Sequence, residues 1–319
     1  MVPYLIDMDD HFYNALVVEH VRPGSPKHDV TFIPDEHDPT TGWVELEGTE
    51  TLEALDGQHR LKSIELAVAE NPDLASETIG LVIVPHKTVP LSQQLFSDLN
   101  RNAKPTPKSL NIMFEHREEA ALLAKDLVKN SKYLTERVNL TGSTLSERSP
   151  YIVTIATLYE AMKIVQPVLD ASEHSDRVAQ LTEYWDTALA ALPGMTGLVS
   201  GQIYPRDLRG KYVYATGLGF EALAEAIKSA VVNFPSKWSE ILSEGLSRIK
   251  WELTDPQWEG VALFAGRVAI ARAARQRTAT LVKHLLGLPN EESHIRDLEE
   301  AYQTLNRKIP SPLLVPEAV

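Results

Sequence analysis

The chain has 319 residues, with 31 Lys and Arg against 44 Asp and Glu, a formal charge of −13 and no cysteine. That length suits one large domain or two ordinary ones. The missing thiols exclude disulfides, thiolate metal sites, persulfide carriage and a cysteine nucleophile. An acidic surface repels a polyanion over most of its extent, so any contact with DNA is expected to be local.

The N-terminal part reads as mixed α/β. Phe12 to Val21, Thr31 to Ile33 and Trp43 to Leu46 are rich in β-branched or aromatic residues and predict strands joined by polar loops. Thr51 to Leu55 leads into Asp56-Gly57, after which Leu61, Ile64 and Val68 recur at helical spacing until Asn71-Pro72. Ile79 to Val84 reads as a buried strand, and a compact α/β unit is expected up to about Pro90.

Beyond Pro90 the periodicity is helical almost throughout. Ser149-Pro150 reads as a cap and first-turn proline before the stripe Ile152, Ile155, Tyr159 and Met162. Further stripes are Val178, Leu181, Trp185, Leu189, then Leu223, Ile227, Val231, then Trp238, Ile241, Leu242, Ile249. Gly194 to Gly201 and Tyr204 to Gly210 read as loops, with Arg206 and Arg209 near enough to reach a ligand but nothing to decide it. A basic helix is expected over about 260–287, ended by Gly287-Leu288-Pro289. The tail from Lys308 to Val319 is either irregular or docked by its leucines. The expected class is α+β, with an α/β module over 1–108 and a larger all-helical region over 109–319. The longest apolar runs fall far below the roughly 18 residues that span a bilayer, and no signal peptide opens the chain, so the cytoplasm is the expected compartment.

A glycine between a strand and a helix permits a sharp turn, and the helix that follows presents unpaired N–H groups of positive character. Asp56-Gly57-Gln58-His59-Arg60 therefore reads as an anion site, with Arg60 as a bidentate phosphate partner and His59 and Gln58 as further donors. Asp56 either orients Arg60 or His59 or holds a Mg²⁺ ion beside a phosphate. The plainer alternative is a turn closed by an Asp cap, with His59 and Arg60 solvated.

The string Asp56-Gly57-Gln58-His59-Arg60-Leu61 resembles the signature of the DGQHR-domain proteins, a group that includes the DndB family associated with DNA phosphorothioate modification. A second block, Phe96-Ser97-Asp98-Leu99-Asn100-Arg101-Asn102-Ala103-Lys104-Pro105, resembles a stretch of that family. Looser blocks are Arg137-Val138 with Leu145 to Ser149, and Gln257-Trp258 leading to Leu285-Leu286-Gly287-Leu288. Together they run from about Tyr4 to Pro289. The module is similar in motif to the ParB and sulfiredoxin fold, whose members bind nucleotide phosphates at this turn. Sulfiredoxins have cysteine just before His-Arg; here Gln58 takes that place, which excludes sulfinic-acid chemistry. Family members often carry a longer N-terminal arm than the residues before Tyr4, which leaves a first helix and any role of that arm open here.

Asn100, Arg101, Asn102, Lys104 and Lys108 set cations and amides around Pro105 and Pro107, a path suited to a nucleotide or a nucleic-acid backbone. Proximity to the Arg60 turn in the resembled fold favours Asn100, Arg101 and Lys104 as nucleotide ligands, with Lys108 read as a solvated connector. From Gly260 to Asn290 there is no acid, while Arg267, Arg272, Arg275, Arg277 and Lys283 carry +5, leaving −18 for the rest. On one helix Arg272, Arg275 and Lys283 share an arc, Arg277 lies opposite, and Arg267 falls on the apolar side, where it needs a buried partner. These five residues are the candidate DNA contacts, or else an ordinary helix paired with the acidic remainder. The lone histidines show no metal-ligand spacing and read as structural or surface residues.

The resemblance implies an accessory, regulatory protein of a phosphorothioate system that binds DNA, through transcriptional repression or control of modification, and senses a nucleotide at the turn. The alternatives are enzymatic, an NTP hydrolase or a metal-dependent nickase with Asp56, His59 and Arg60 as catalytic residues and a nucleoside triphosphate with Mg²⁺ as cofactor, and a non-catalytic scaffold for modification proteins. A homodimer would set two basic segments side by side.

Overall fold

The computed structural model describes residues 1–8, 10–24, 30–102 and 106–314, and for residues 100–102 the backbone alone. The chain is α+β and divides into two compact units, Met1–Pro105 and Thr106–Val319.

The first unit runs α1 (Val2–Asp7), β1 (Leu16–Val21), β2 (Thr31–Pro34), β3 (Gly42–Glu45), β4 (Thr51–Asp56), α2 (Gln58–Glu70), β5 (Leu81–Pro85) and α3 (Val89–Asn102). β1 is the centre of a three-stranded sheet, antiparallel to β4 and parallel to β5, with Val18 opposite both Ala54 and Ile83. Leu16 and Val18, two apart, join Leu5, Leu55 and Ala67 in the buried apolar core. The strand expected from Phe12 starts only at Leu16. The carbonyl oxygens of Asn14 and Ala15 accept from the Arg60 guanidinium, which takes them out of any ladder. Among the described residues β2 and β3 pair only with each other, and every residue of that ribbon is exposed.

The second unit runs α4 (Lys108–Phe114), α5 (Glu119–Asn130), β6 (Val138–Asn139), β7 (Val153–Thr154), α6 (Ile155–Val165), α7 (His174–Ala190), α8 (Met195–Val199), α9 (Pro205–Lys211), α10 (Gly217–Asn233), α11 (Trp238–Arg248), β8 (Leu263–Phe264), β9 (Arg267–Val268), α12 (Arg272–Leu285) and α13 (Glu292–Thr304). α10 is central, packed on α6, α11 and α12. Its approach to the chain before it depends on Gly219, where a Cβ would stand 2.2 Å from the Val213 carbonyl oxygen. Trp185 stacks on Phe220 and Trp251 on Trp258, with ring centroids 5.9 and 5.5 Å apart.

Four expectations change here. The region is not all helical, because the short pairs β6 with β7 and β8 with β9 interrupt it. Ser149-Pro150 does not start a helix: the carbonyls of Ser146, Glu147, Ser149 and Tyr151 are held by Arg209, and Thr154 caps α6 by accepting from the Thr157 N–H. The two segments read as loops form the short helices α8 and α9. The basic helix over 260–287 exists only from Arg272. Upstream, Ala265 and Gly266 take φ of +50° and +71°, the paired left-handed residues of a two-residue hairpin, and the Glu259 carboxylate accepts from both their N–H groups. Gly287, φ +68°, closes α12 where a stop is expected. In the tail, the Leu313 N–H donates to the Leu285 carbonyl and Leu314 packs on the core; residues 315–319 lie outside the described residues. No helix of the described residues is long and apolar enough to cross a membrane.

Candidate functional site

Gly57, φ +93°, is the N-cap of α2, and no side chain caps that helix. A Cβ at this glycine would stand 2.4 Å from Leu16 Cδ2, so both the backbone angle and the space require glycine. Arg60 does not project into solvent. Its Nη2 donates to Asp56 Oδ2 at 2.6 Å, and its Nη1 donates to the carbonyl oxygens of Asn14 at 2.9 Å and Ala15 at 3.1 Å. Gln58 Nε2 turns back to the Ala54 carbonyl at 2.8 Å. The turn is therefore neither the solvated surface of the plainer alternative nor a set of free donors. The groups left facing outward are the exposed imidazole of His59 and the uncapped N–H groups of the first turn.

Asp56 is a poor fit to a Mg²⁺ ion, because its Oδ2 already carries a guanidinium partner. Among the described residues no group of three or more His, Asp or Glu is placed to hold a metal. Lys104 and the side chains of Asn100 and Arg101 lie outside the described residues.

The same sheet carries a buried polar group on β1 that no motif marks. Glu19 Oε1 accepts from Ser92 Oγ at 2.6 Å and stands 3.1 Å from His86 Nδ1, while Glu19 itself is buried. Alternation offered one signal, since a glutamate two residues from Val21 and one from Val18 interrupts an apolar strand. Its partners from residues 86 and 92 carried none.

The five basic candidates separate in space. Arg277 lies between α12 and α13 with Nε and Nη2 each 2.8 Å from the two Asp297 carboxylate oxygens. That hydrogen bonding holds the Asp297 carboxyl below the usual aspartate range and raises Arg277. Arg275 pairs with Glu221, whose carboxyl is pushed up by burial. Arg272, Arg275 and Lys283 line one cleft, as their shared arc predicts, but with Lys228 and the carboxylates of Glu221, Glu225 and Glu291 beside them the charges there nearly balance. Burial lowers the Lys283 ammonium from its ordinary value. Arg267 is on β9, exposed, rather than on a buried apolar face. The side chains of Arg267 and Arg272 enter no hydrogen bond or ion pair among the described residues. They flank Val268 and Ile270, 40% and 90% exposed, so the hairpin tip and the start of α12 present two free cations around apolar side chains.

In comparisons with known proteins, the family model DndB, described as DNA-sulfur modification-associated, matches residues 1–289. No curated protein and no solved structure matches the chain.

Proposed function

The chain belongs to the DndB family, and from that premise we propose that it is an accessory, regulatory protein of a DNA phosphorothioate modification system that acts by binding DNA. The family match over residues 1–289 carries this reading. The engaged state of Arg60 supports a binding role over hydrolysis, because a guanidinium tied to Asp56 and to the Asn14 and Ala15 carbonyls is not free to meet a phosphate. A nucleotide phosphate at the turn would be met by the α2 N–H groups and His59.

DNA is contacted by Arg267 and Arg272, the exposed cations of the basic segment that enter no ion pair among the described residues, through phosphates and without base specificity. Anisotropy with a labelled duplex tests this. Binding should weaken as salt rises, and Arg267→Glu with Arg272→Glu should lower the slope of log K against log salt by about 0.9 per lost phosphate contact. Absence of duplex binding at low salt would overturn the reading. If binding holds, an operon reporter and a phosphorothioate assay distinguish repression from restraint of modification.

A scaffolding role is favoured by one observation. The β2–β3 ribbon leaves Trp43 77% exposed, with Phe32, Ile33 and Val44 also exposed around it. Trp43→Ala should then reduce co-purification of co-expressed modification proteins while leaving duplex affinity unchanged.

A further inference from the structure

In a chain that carries −13 overall, one cleft of the second unit is lined by three guanidinium groups and no carboxylate. Arg137 comes from the segment after α5, Arg148 from the loop before β7, and Arg206 from the first turn of α9. Tyr204, Ile203 and Pro150 complete the wall, and the volume of about 390 Å³ suits a small polar ligand. Glu147 and Asp207, the acids next in sequence, line the adjoining groove instead, and Arg206 borders both.

The loop on one side of the cleft is held in place by Arg209, which is not among the lining cations. Arg209 donates to the carbonyl oxygens of Ser146 at 2.9 Å, Glu147 at 3.0 Å and Ser149 at 3.1 Å, and also to that of Tyr151. The loop bearing Arg148 is thereby fixed before any ligand arrives, which reduces the ordering cost of binding. Arg137 is engaged by backbone: its Nη1 donates to the carbonyls of Thr135 at 3.0 Å and Lys132 at 3.3 Å, and its Nη2 reaches that of Val199 at 3.5 Å, which leaves its charge beside the cleft. Arg148 is exposed and enters no hydrogen bond or ion pair among the described residues. Arg206 has only its exposed neighbour Asp207 at 3.7 Å, a weak pairing, and lies 5.0 Å from the centre of the Tyr204 ring.

Like charges facing one cleft repel one another, and an anion set between Arg148 and Arg206 would relieve that repulsion. Planar donor forks select phosphate or carboxylate, and a Tyr204 side chain left 61% exposed beside Ile203 and Pro150 adds a surface for a flat ring. We propose that this cleft binds a nucleotide unit, with its phosphate on Arg148 and Arg206 and its base against Tyr204. The inference rests on the DNA-binding reading above and adds a place and a substrate class. A duplex keeps its bases stacked inside, so the ligand is an unpaired nucleotide of single-stranded DNA or a free nucleotide of the same chemistry.

The test uses the full chain with three fluorescent probes: an oligothymidine single strand, a duplex of equal length and a labelled dATP. Arg148→Glu and Arg206→Glu should each weaken the single strand about tenfold and lower its salt slope by about 0.7. Tyr204→Ala should weaken it by a similar factor, about tenfold, without changing the slope. All three residues are exposed, and unchanged melting of each variant shows that the fold is intact. Loss of the single strand alone identifies DNA as the ligand, loss of dATP alone identifies the free nucleotide, and loss of both supports a site for one nucleotide unit from either source. Duplex binding lost in Arg267→Glu with Arg272→Glu, while these cleft variants leave all three probes within twofold, would overturn the cleft and leave the proposed function standing. Absent duplex binding with cleft-dependent dATP binding would do the reverse. No binding of any probe overturns both.

Discussion

Arg60 closes on Asp56, four residues before it, with Nη2 2.6 Å from Oδ2, and reaches through Nη1 to the carbonyl oxygens of Asn14 and Ala15. One guanidinium thereby ties the first turn of α2 to the end of β4 and to the segment entering β1. A motif whose residue types suit anion capture uses its most basic member as an internal strap.

Arg60→Ala should destabilise the first unit by about 2 kcal/mol, because three acceptors lose a charged donor. Arg60→Lys should recover little, since an ammonium lacks the planar fork that meets a carboxylate and two carbonyls together. Hydrogen exchange of the β1 and β4 amides is the appropriate measurement, as it reads this unit separately from the helical one. Unchanged protection in Arg60→Ala would show that the strap contributes nothing.

Gly57→Ala should cost about 1–3 kcal/mol by forcing a side chain into the left-handed region and against Leu16. Asp56→Asn keeps the shape and removes the charge, so it should cost less than Gly57→Ala. Reversal of that order in denaturant melts would place the weight of the turn on the ion pair rather than on the backbone.

Asp297→Asn should loosen the docking of α13 on α12 by about 1 kcal/mol, and the loss should depend on pH. The Arg277 hydrogen bonds depress the native carboxyl, so the pair's contribution is complete above the usual aspartate range and is lost as pH falls through the lower native value. Melts of wild type and Asp297→Asn should thus differ by a constant amount near neutrality and converge in acid. Arg277→Ala should show the same stability loss with no change in the salt slope of DNA binding, because that side chain is already engaged.

Trp258→Ala should destabilise the second unit by about 3–5 kcal/mol. The indole is fully buried, stacks on Trp251, and donates through Nε1 to the Lys250 carbonyl at 2.8 Å. Trp258→Phe keeps most of the ring but loses the donor, and should fall between the two in thermal melting. Equal melting of all three proteins would rule out a packing role for the pair.

Much of the secondary structure was legible because it follows from local chemistry. Thr31 to Ile33, Trp43 to Glu45 and Thr51 to Leu55 lie in strands, α2 spans the Leu61, Ile64, Val68 stripe, and Gly287 stands at the end of α12. The basic segment misled because Val261 to Ala265 is as apolar as a helix face. The turn that breaks it depends on the carboxylate of Glu259 capturing two N–H groups. The start of α6 was placed too early for a related reason, as Arg209 holds the carbonyls that a helix from Pro150 would use.

By itself the sequence determined what the Asp56 to Arg60 turn is made of: a left-handed glycine, a helix start, a guanidinium four residues from a carboxylate and no thiol anywhere in the chain. Those properties depend on covalent identity and on spacing within one turn. Only the tertiary structure decided what that guanidinium holds, since Asn14 and Ala15 lie more than forty residues away along the chain. It also brought Arg137, Arg148 and Arg206 to one cleft and sent Arg277 to Asp297. Pairing between charges depends on distance in space, and no periodicity along a chain specifies which distant partner a side chain will meet.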